Sequence, residues 1–415
     1  MTLTIGHRLA RMTGRDPHQQ GRVATNLELF YDLVFVVAFS VAGTQVAHAL
    51  AEGHYKVAVF GYLLSTFAAT WAWINFAWFA SAFDTDDWFF RVNVLVQMVG
   101  VAIIALGMPP IFSSLAHGDH VDNRVLVLGY IVMRIGMVTQ WARVAFQSAE
   151  HRRAALIYLS ATLIAQVGWV AVLIADMSFV PTVFAMLACV VIEMSGPFIA
   201  ETTTGGTPWH PHHIAERYAL LTIITLGEGV VGTVAVLEAL IGTQGWTVET
   251  AVLGLAAMAV TFAMWWMYFI VPTGDALHAR RRRSFPWGYG HIIIFIAAAG
   301  VGAGLHVAAL YIEHEAHIGP GIVVATFAIP LGVYCLGMLT IYDYLLDFDP
   351  ITLALGLATV VLLGVSVWLA AAGVSVVVAL LVAILAPVVI VVSDELVGAG
   401  RRETALRALS ERSAS

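Results

Sequence analysis

Few side chains in this 415-residue chain can do chemistry inside an apolar surrounding, and they can be named. Glu228 stands between Gly227 and Gly229 in one long apolar run, and Arg134 stands well inside another. At about 1.5 Å per helical residue both lie near the middle of a membrane. Equal depth and opposite charge make them candidates for one pair. A permanent pair would set helix register; a pair made and broken would move a proton or clamp an anionic substrate. Glu28 and Asp32 are one helical turn apart on one face, so the two carboxylates could share a proton or hold a cation. Glu28 also suits the first turn of a helix, where the backbone dipole favours an acid. Glu193 precedes Pro197 in a further run. Arg91 and His291 open two others, Glu216 stands just before the run that carries Glu228, and Arg217 opens that run. These nine residues are the candidate substrate or proton pathway. His291 reads either as a proton relay or as an interfacial histidine satisfied by a carbonyl. His212 and Glu216 are four apart, yet no third ligand completes an HExxH-type set, so the loop reads as interfacial histidines and not as a metal site. No motif for a catalytic nucleophile, nucleotide or haem is present, and no cofactor is expected.

The elements that must position these groups are set by composition. AVILMFWYC account for 60% of the chain and DEKR for 11%, with a mean hydropathy of +0.85. A soluble domain carries about 25% charged residues. The 20 Lys+Arg do not outweigh 27 Asp+Glu, for a formal net charge of -7, and no basic stripe exists for a nucleic acid. The partners expected are the lipid bilayer and a small solute or ion; a homo-oligomer is left open. Cys189 and Cys335 both sit inside apolar runs and outline no disulfide framework. The first 25 residues hold Arg8, Arg11, Arg15 and Arg22 but no cleavable leader pattern. Apolar runs long enough to span follow at 27–50, 57–82, 89–114, 124–147, 154–175, 178–200, 217–241, 250–271, 289–312, 321–345, 351–371 and 374–394. They are continuous and not alternating, which excludes a β-barrel. The tightest expected turns are at Asp176–Met177 and Ala371–Val374. Gly300, Gly302 and Gly304, in mid-run with no strand before them, read as helix-packing residues.

The expected fold is therefore all-α: a polytopic integral membrane helical bundle of about twelve transmembrane helices. Placing the N-terminus inside leaves only Lys56 and Arg124 outside and Arg134 within a helix, of 20 Lys+Arg in all. That asymmetry calls for an even number of spans and two cytoplasmic termini. The organisation expected is a cytoplasmic Arg-rich segment (1–25), a first six-helix half (26–200), a second six-helix half (201–397) and a cytoplasmic tail (398–415). The first span, ELFYDLVFVVAFSVAGTQVAHAL, and the seventh, ERYALLTIITLGEGVVGTVAVLEAL, each open with Glu and an aromatic, carry Gly-Thr late and close on Ala-Leu. This points to a 6+6 parallel pseudo-repeat. The run Arg280–Arg283 reads as a topology anchor or an anionic-lipid contact.

Leu27-Glu28-Leu29-Phe30-Tyr31-Asp32-Leu33-Val34-Phe35-Val36 resembles the opening of the bacterial low temperature requirement protein A family. Glu216-Arg217-Tyr218, followed by Thr222-Ile223-Ile224-Thr225-Leu226-Gly227-Glu228, resembles that family's mid-chain motif. Asp84-Thr85-Asp86-Asp87 with Arg91, Trp265-Trp266-Met267-Tyr268-Phe269 and Tyr289-Gly290-His291 follow in the family's order. Ile270 stands where the family often has an acid. The resemblance implies a multi-pass protein of the bacterial inner membrane and no particular chemistry. From the residues, the leading reading is a secondary transporter of a small solute or ion, with proton coupling through Glu228. Arg134 would be its counter-ion or an anion clamp, and Asp32 and His291 would line the inner vestibule. One alternative is an intramembrane enzyme acting on lipid or isoprenoid at the cytoplasmic face through Glu28, Asp32, Glu216 and His291. A second is a structural or sensory membrane protein with static ion pairs.

Overall fold

A computed structural model describes residues 9–118, 121–175 and 177–414. Arg8 and Asp176, which carried two of the expectations above, lie outside them. Among the described residues there is no β-strand. The first unbroken series is α1 (Asn26–Ala51), α2 (Tyr55–Phe83), α3 (Trp88–His117), α4 (Arg124–Gln147), α5 (Arg152–Ala175) and α6 (Phe179–Thr203). It continues with α7 (Pro211–Gln244), α8 (Val248–Phe269), the short α9 (Thr273–Ala279), α10 (Ser284–Ile312), α11 (Pro320–Leu346), α12 (Pro350–Ala371) and α13 (Val376–Ser393). A π-turn, Asp394–Gly398, leads into α14 (Ala399–Ala414). Twelve helices among the described residues, α1–α8 and α10–α13, are long and apolar enough to cross a membrane. The protein is a polytopic α-helical membrane protein, as its composition requires.

The helix ends have local causes. Thr25 and Glu28 form a capping box at the start of α1: the Thr25 N–H donates to Glu28 Oε2 at 2.7 Å, and the Glu28 N–H donates to Thr25 Oγ1 at 3.2 Å. Asp87 caps α3 by accepting from the Phe90 N–H at 2.8 Å. Pro211, Pro320 and Pro350 open α7, α11 and α12, where a missing N–H costs nothing. That is why α7 starts six residues before its apolar run: the stretch from His212 to Glu216 is too polar to register as a span, but Pro211 starts the helix all the same. The turn after α12 closes on Gly373, whose φ of +93° lies in the left-handed region. The Val374 N–H reaches back to the Leu369 carbonyl at 3.0 Å, a helix ending that glycine tolerates best.

Contacts divide the chain into two compact units. One comprises the chain up to Ala38 together with Ala68–Ile214; the other comprises Phe39–Phe67 and everything from Ala215. In the first, α3 packs on α4, α4 on α5 and α5 on α6. The α3–α4 seam depends on small residues. A β-carbon at Gly100 would lie 2.4 Å from the Met133 backbone nitrogen, and one at Gly129 would lie 2.5 Å from that of Ile104. In the second unit α10 packs on α11, α11 on α12, and α13 on α12 and α8. The large side chains left exposed, such as Ile174, Phe184, Leu255 and Phe262, are apolar. In a bilayer that is the surface lipid covers.

Candidate functional site

In the first unit one buried carboxylate gathers polar groups from three other helices. Glu193 on α6 is 5% exposed. Its Oε2 accepts from Arg134 Nη2 at 2.6 Å, Trp71 Nε1 at 2.7 Å and Tyr130 Oη at 3.0 Å. Its Oε1 accepts from Trp169 Nε1 at 3.2 Å and Gln166 Nε2 at 3.4 Å. Arg134, 2% exposed, also donates to the Tyr130 hydroxyl at 2.9 Å. Its guanidinium carbon lies 4.8 Å from the centre of the Tyr130 ring. A carboxylate taken into hydrocarbon must be paired and hydrogen-bonded, and this one is. The expected partner of Arg134 was Glu228; Arg134 is held by Glu193 instead. Depth alone could not choose between two acids on different helices. The aromatic donors were a missed signal, because a tryptophan or tyrosine deep in a span needs a polar partner for its N–H or O–H.

A second polar group in this unit joins the chain's N-terminal segment to the α2–α3 turn. Arg143 makes a two-point ion pair with Asp87, and its guanidinium also reaches the Ala10 carbonyl at 2.6 Å. The Met12 N–H donates to Gln147 Oε1 at 2.9 Å, and Arg22 donates to the Ala80 carbonyl at 2.9 Å. Burial alone would raise the Asp87 carboxyl, but the hydrogen bond and charge of Arg143 and the N–H groups of Phe90 and Ala10 hold it down to about 2. Asp84 behaves oppositely. Burial and then the like charge of Glu28 push its carboxyl up to about 6, against the Asp86 N–H and the charges of Arg15 and Arg22. Glu28 is fully buried, and besides capping α1 it accepts from His213 Nε2 at 3.2 Å. Asp32, 1% exposed, accepts from Trp73 Nε1 at 2.6 Å. Each acid thus has a hydrogen-bond donor on another element, His213 for Glu28 and Trp73 for Asp32, which is a structural reason for each. Arg91 is exposed and pairs with Asp86 at 2.9 Å.

In the second unit Glu228 sits in mid-α7, 7% exposed. Its side-chain hydrogen-bond partner is Ser40 of α1, and its carboxylate oxygen lies 3.4 Å from where a β-carbon on Gly43 would stand. Tyr62 of α2, close enough to feel its charge, gives its hydroxyl proton to the Ile296 carbonyl at 2.7 Å. No Arg, Lys or His among the described residues pairs with Glu228. On α10, a β-carbon at Gly302 would lie 2.2 Å from the Glu228 carbonyl oxygen, so α7 and α10 touch backbone to backbone there. About one turn further along the two flanking helices, His48 of α1 and His306 of α10 meet edge-on, with ring centres 5.8 Å apart. His48 is exposed and His306 half-buried. Sequence reasoning passed over this pair because the two residues are far apart in the chain and only the packing of α1 beside α10 joins them.

His291 is buried at the start of α10 and bound at both nitrogens. Nδ1 lies 2.8 Å from the Trp287 carbonyl, which can only accept, so Nδ1 carries the hydrogen. Nε2 then accepts from the Tyr268 hydroxyl at 3.1 Å. This matches the carbonyl-satisfied reading of His291. Glu216 is half-buried and Arg217 fully buried on α7. Among the described residues no three His, Cys, Asp or Glu converge to hold a metal ion.

The sequence pattern of the bacterial low temperature requirement A protein (LtrA) matches residues 23–387. The chain belongs to the LtrA family. That span takes in the whole of the Glu193 cluster and the whole of the Glu228 site. An uncharacterized protein of Rhizobium meliloti (strain 1021) is 25% identical over 256 residues, which is 58% of this chain and 57% of that one. The match thus spans just over half of that relative's length. No solved structure matches. The LtrA family fits the fold and the motif order; its chemistry has to be argued from the side chains themselves.

Proposed function

We propose that this LtrA-family protein is a proton-coupled secondary transporter of a small solute or ion in the bacterial plasma membrane, with Glu228 as the coupling carboxylate. The observation that carries the reading is the contrast between two intramembrane acids. Glu193 has a fixed cation and four further donors. Glu228 has a hydroxyl, a glycine and a phenol around it and no fixed counter-charge among the described residues. A buried carboxylate without a permanent counter-ion is one that a mobile proton or cation must neutralise, and intramembrane acids of that kind mark ion pathways. The His48–His306 pair supports the same reading. It supplies titratable groups about 6–8 Å along the helix axes from Glu228, a step that water or a rotamer change can bridge. Two cytoplasmic termini and a 6+6 parallel pseudo-repeat in this chain belong to this proposal too.

The enzyme alternative draws less support. Of its acids, Glu28 caps a helix and binds His213, and Asp32 is tied to Trp73. His291 has both nitrogens engaged. The test is Glu228→Gln in proteoliposomes loaded with a pH-reporting dye, under an imposed solute or ion gradient. Wild-type protein should move protons with the gradient, and the variant, folded and monodisperse, should not. Proton movement that persists in Glu228→Gln, or a wild-type pH transition in tryptophan fluorescence that the variant leaves unchanged, overturns the assignment.

A further inference from the structure

The Arg134 cluster contains more donors than its own acid uses. Arg134 is 2% exposed, yet its Nε and Nη1 have no hydrogen-bond acceptor among the described residues. Only Nη2 is engaged, by Glu193 and the Tyr130 hydroxyl. Buried guanidinium N–H groups left without an acceptor are rare, and in a low-dielectric site they call for a water or an anion. On the other side of Glu193, the Gln166 side-chain oxygen is likewise buried without a donor, while its nitrogen reaches Glu193 Oε1 at 3.4 Å. Rotating that amide by half a turn would point its oxygen at Oε1, where it could accept from a protonated carboxyl.

We infer that Arg134 and Glu193 form a binding site for one small monovalent anion, a halide or a short carboxylate, taken up together with one proton. With the site empty, carboxylate and guanidinium cancel. With the site loaded, the proton sits on Glu193 and bonds to Gln166, and the anion sits on an unpartnered N–H of Arg134, at Nε or Nη1. The charges again sum to zero. The proton and the anion enter and leave together, and no covalent bond other than the carboxyl O–H is made or broken. Either one alone would leave an unbalanced charge in hydrocarbon, and that penalty is the source of the coupling. Trp71, Tyr130 and Trp169, which now donate to Glu193, would hold the neutral acid in place. That this anion is the transported cargo rests on the transport reading above; the binding site stands on its own geometry.

The test uses purified full-length protein in detergent. Sodium chloride and sodium formate are titrated against sodium gluconate, a much bulkier anion, with tryptophan fluorescence as the readout. In wild type one of the two anions should bind, and its apparent affinity should fall about tenfold per pH unit once Glu193 is ionised. The arm that responds tells halide from carboxylate. Glu193→Gln, a neutral acid mimic, should bind the same anion with no pH dependence, and the anion should raise its melting temperature. Arg134→Gln should not bind. If Arg134→Gln fails to fold, Arg134→Lys serves, with binding weakened at least tenfold because the two-edged fork is gone. Absence of binding by both anions in wild type, affinity indifferent to pH, or unchanged binding in a folded Arg134 variant overturns the inference. Binding is read without a gradient, so a negative uptake result bears on Glu228 and a negative binding result bears on Arg134 and Glu193.

Discussion

The residues of this protein separate by whether a buried charge has a fixed partner. Arg134 and Glu193 have one, so removing either strands the other. Arg134→Met and Glu193→Leu should each cost about 3–5 kcal/mol, while the double variant should cost much less than their sum. Unfolding of purified protein in mixed micelles measures the cycle, and additive costs would refute the pairing. Asp84 and Asp87 set the pH dependence at the α2–α3 turn, with opposite signs. Asp84, pushed up to about 6, favours the protonated acid in the fold. Its contribution is complete below the ordinary value near 4 and is lost as pH rises through 6. Asp87, held down to about 2, contributes above pH 4 and loses that contribution as pH falls toward 2. Replacing Asp84 by Asn should therefore flatten the decline in melting temperature that wild type shows between pH 4 and 6.5. Parallel curves for the two proteins would count against a buried Asp84 carboxyl.

At the scale of the helices, glycines decide how near two backbones come. Gly302 lets α10 meet α7 at the Glu228 carbonyl, where any side chain would overlap backbone. A leucine there should cost at least 1–3 kcal/mol and displace the Glu228 segment. Gly227, its neighbour in sequence on α7, has nothing within 4 Å of a built β-carbon. Alanine there should be tolerated in stability and in the fluorescence response to pH. Equal damage from both substitutions would mean that glycine matters here for flexibility and not for close approach. The arginine run at 280–283 also acts at this scale. Arg280 and Arg283 clasp Asp347, whose φ of +80° is uncommon for a residue with a side chain. The Arg280 hydrogen bond above all, then the Arg283 hydrogen bond and both charges, hold its carboxyl below the ordinary value against partial burial. Two of the four arginines thus anchor the end of α11, a role that spacing in the chain does not reveal.

For the whole molecule the result is a helical protein of the LtrA family, with twelve helices among the described residues long and apolar enough to cross a membrane. The orientation proposed for it, with both termini in the cytoplasm, rests on the distribution of the basic residues. Reporter fusions at His117 and Glu315 should read outside, and a fusion at Arg282 should read inside. The reverse labelling at any one of them would break the even count or its direction.

Composition and continuous hydropathy were enough to settle the class, the number of spans and most helix boundaries, because hydrocarbon admits only backbones that satisfy themselves. Motif order was enough to place the family. The positions of the acids along their spans were legible as well, since depth is a matter of counting. Partner choice was not. Glu193 and Glu228 both sit inside apolar runs, and only the packing of α2, α4, α5 and α6 brought two tryptophans, a tyrosine, a glutamine and Arg134 to the first of them. His48 and His306, like Glu28 and His213, are neighbours only after folding. An ion pair depends on distance through an inverse law and on geometry within a few ångströms, and those quantities exist only once helices far apart in sequence lie side by side.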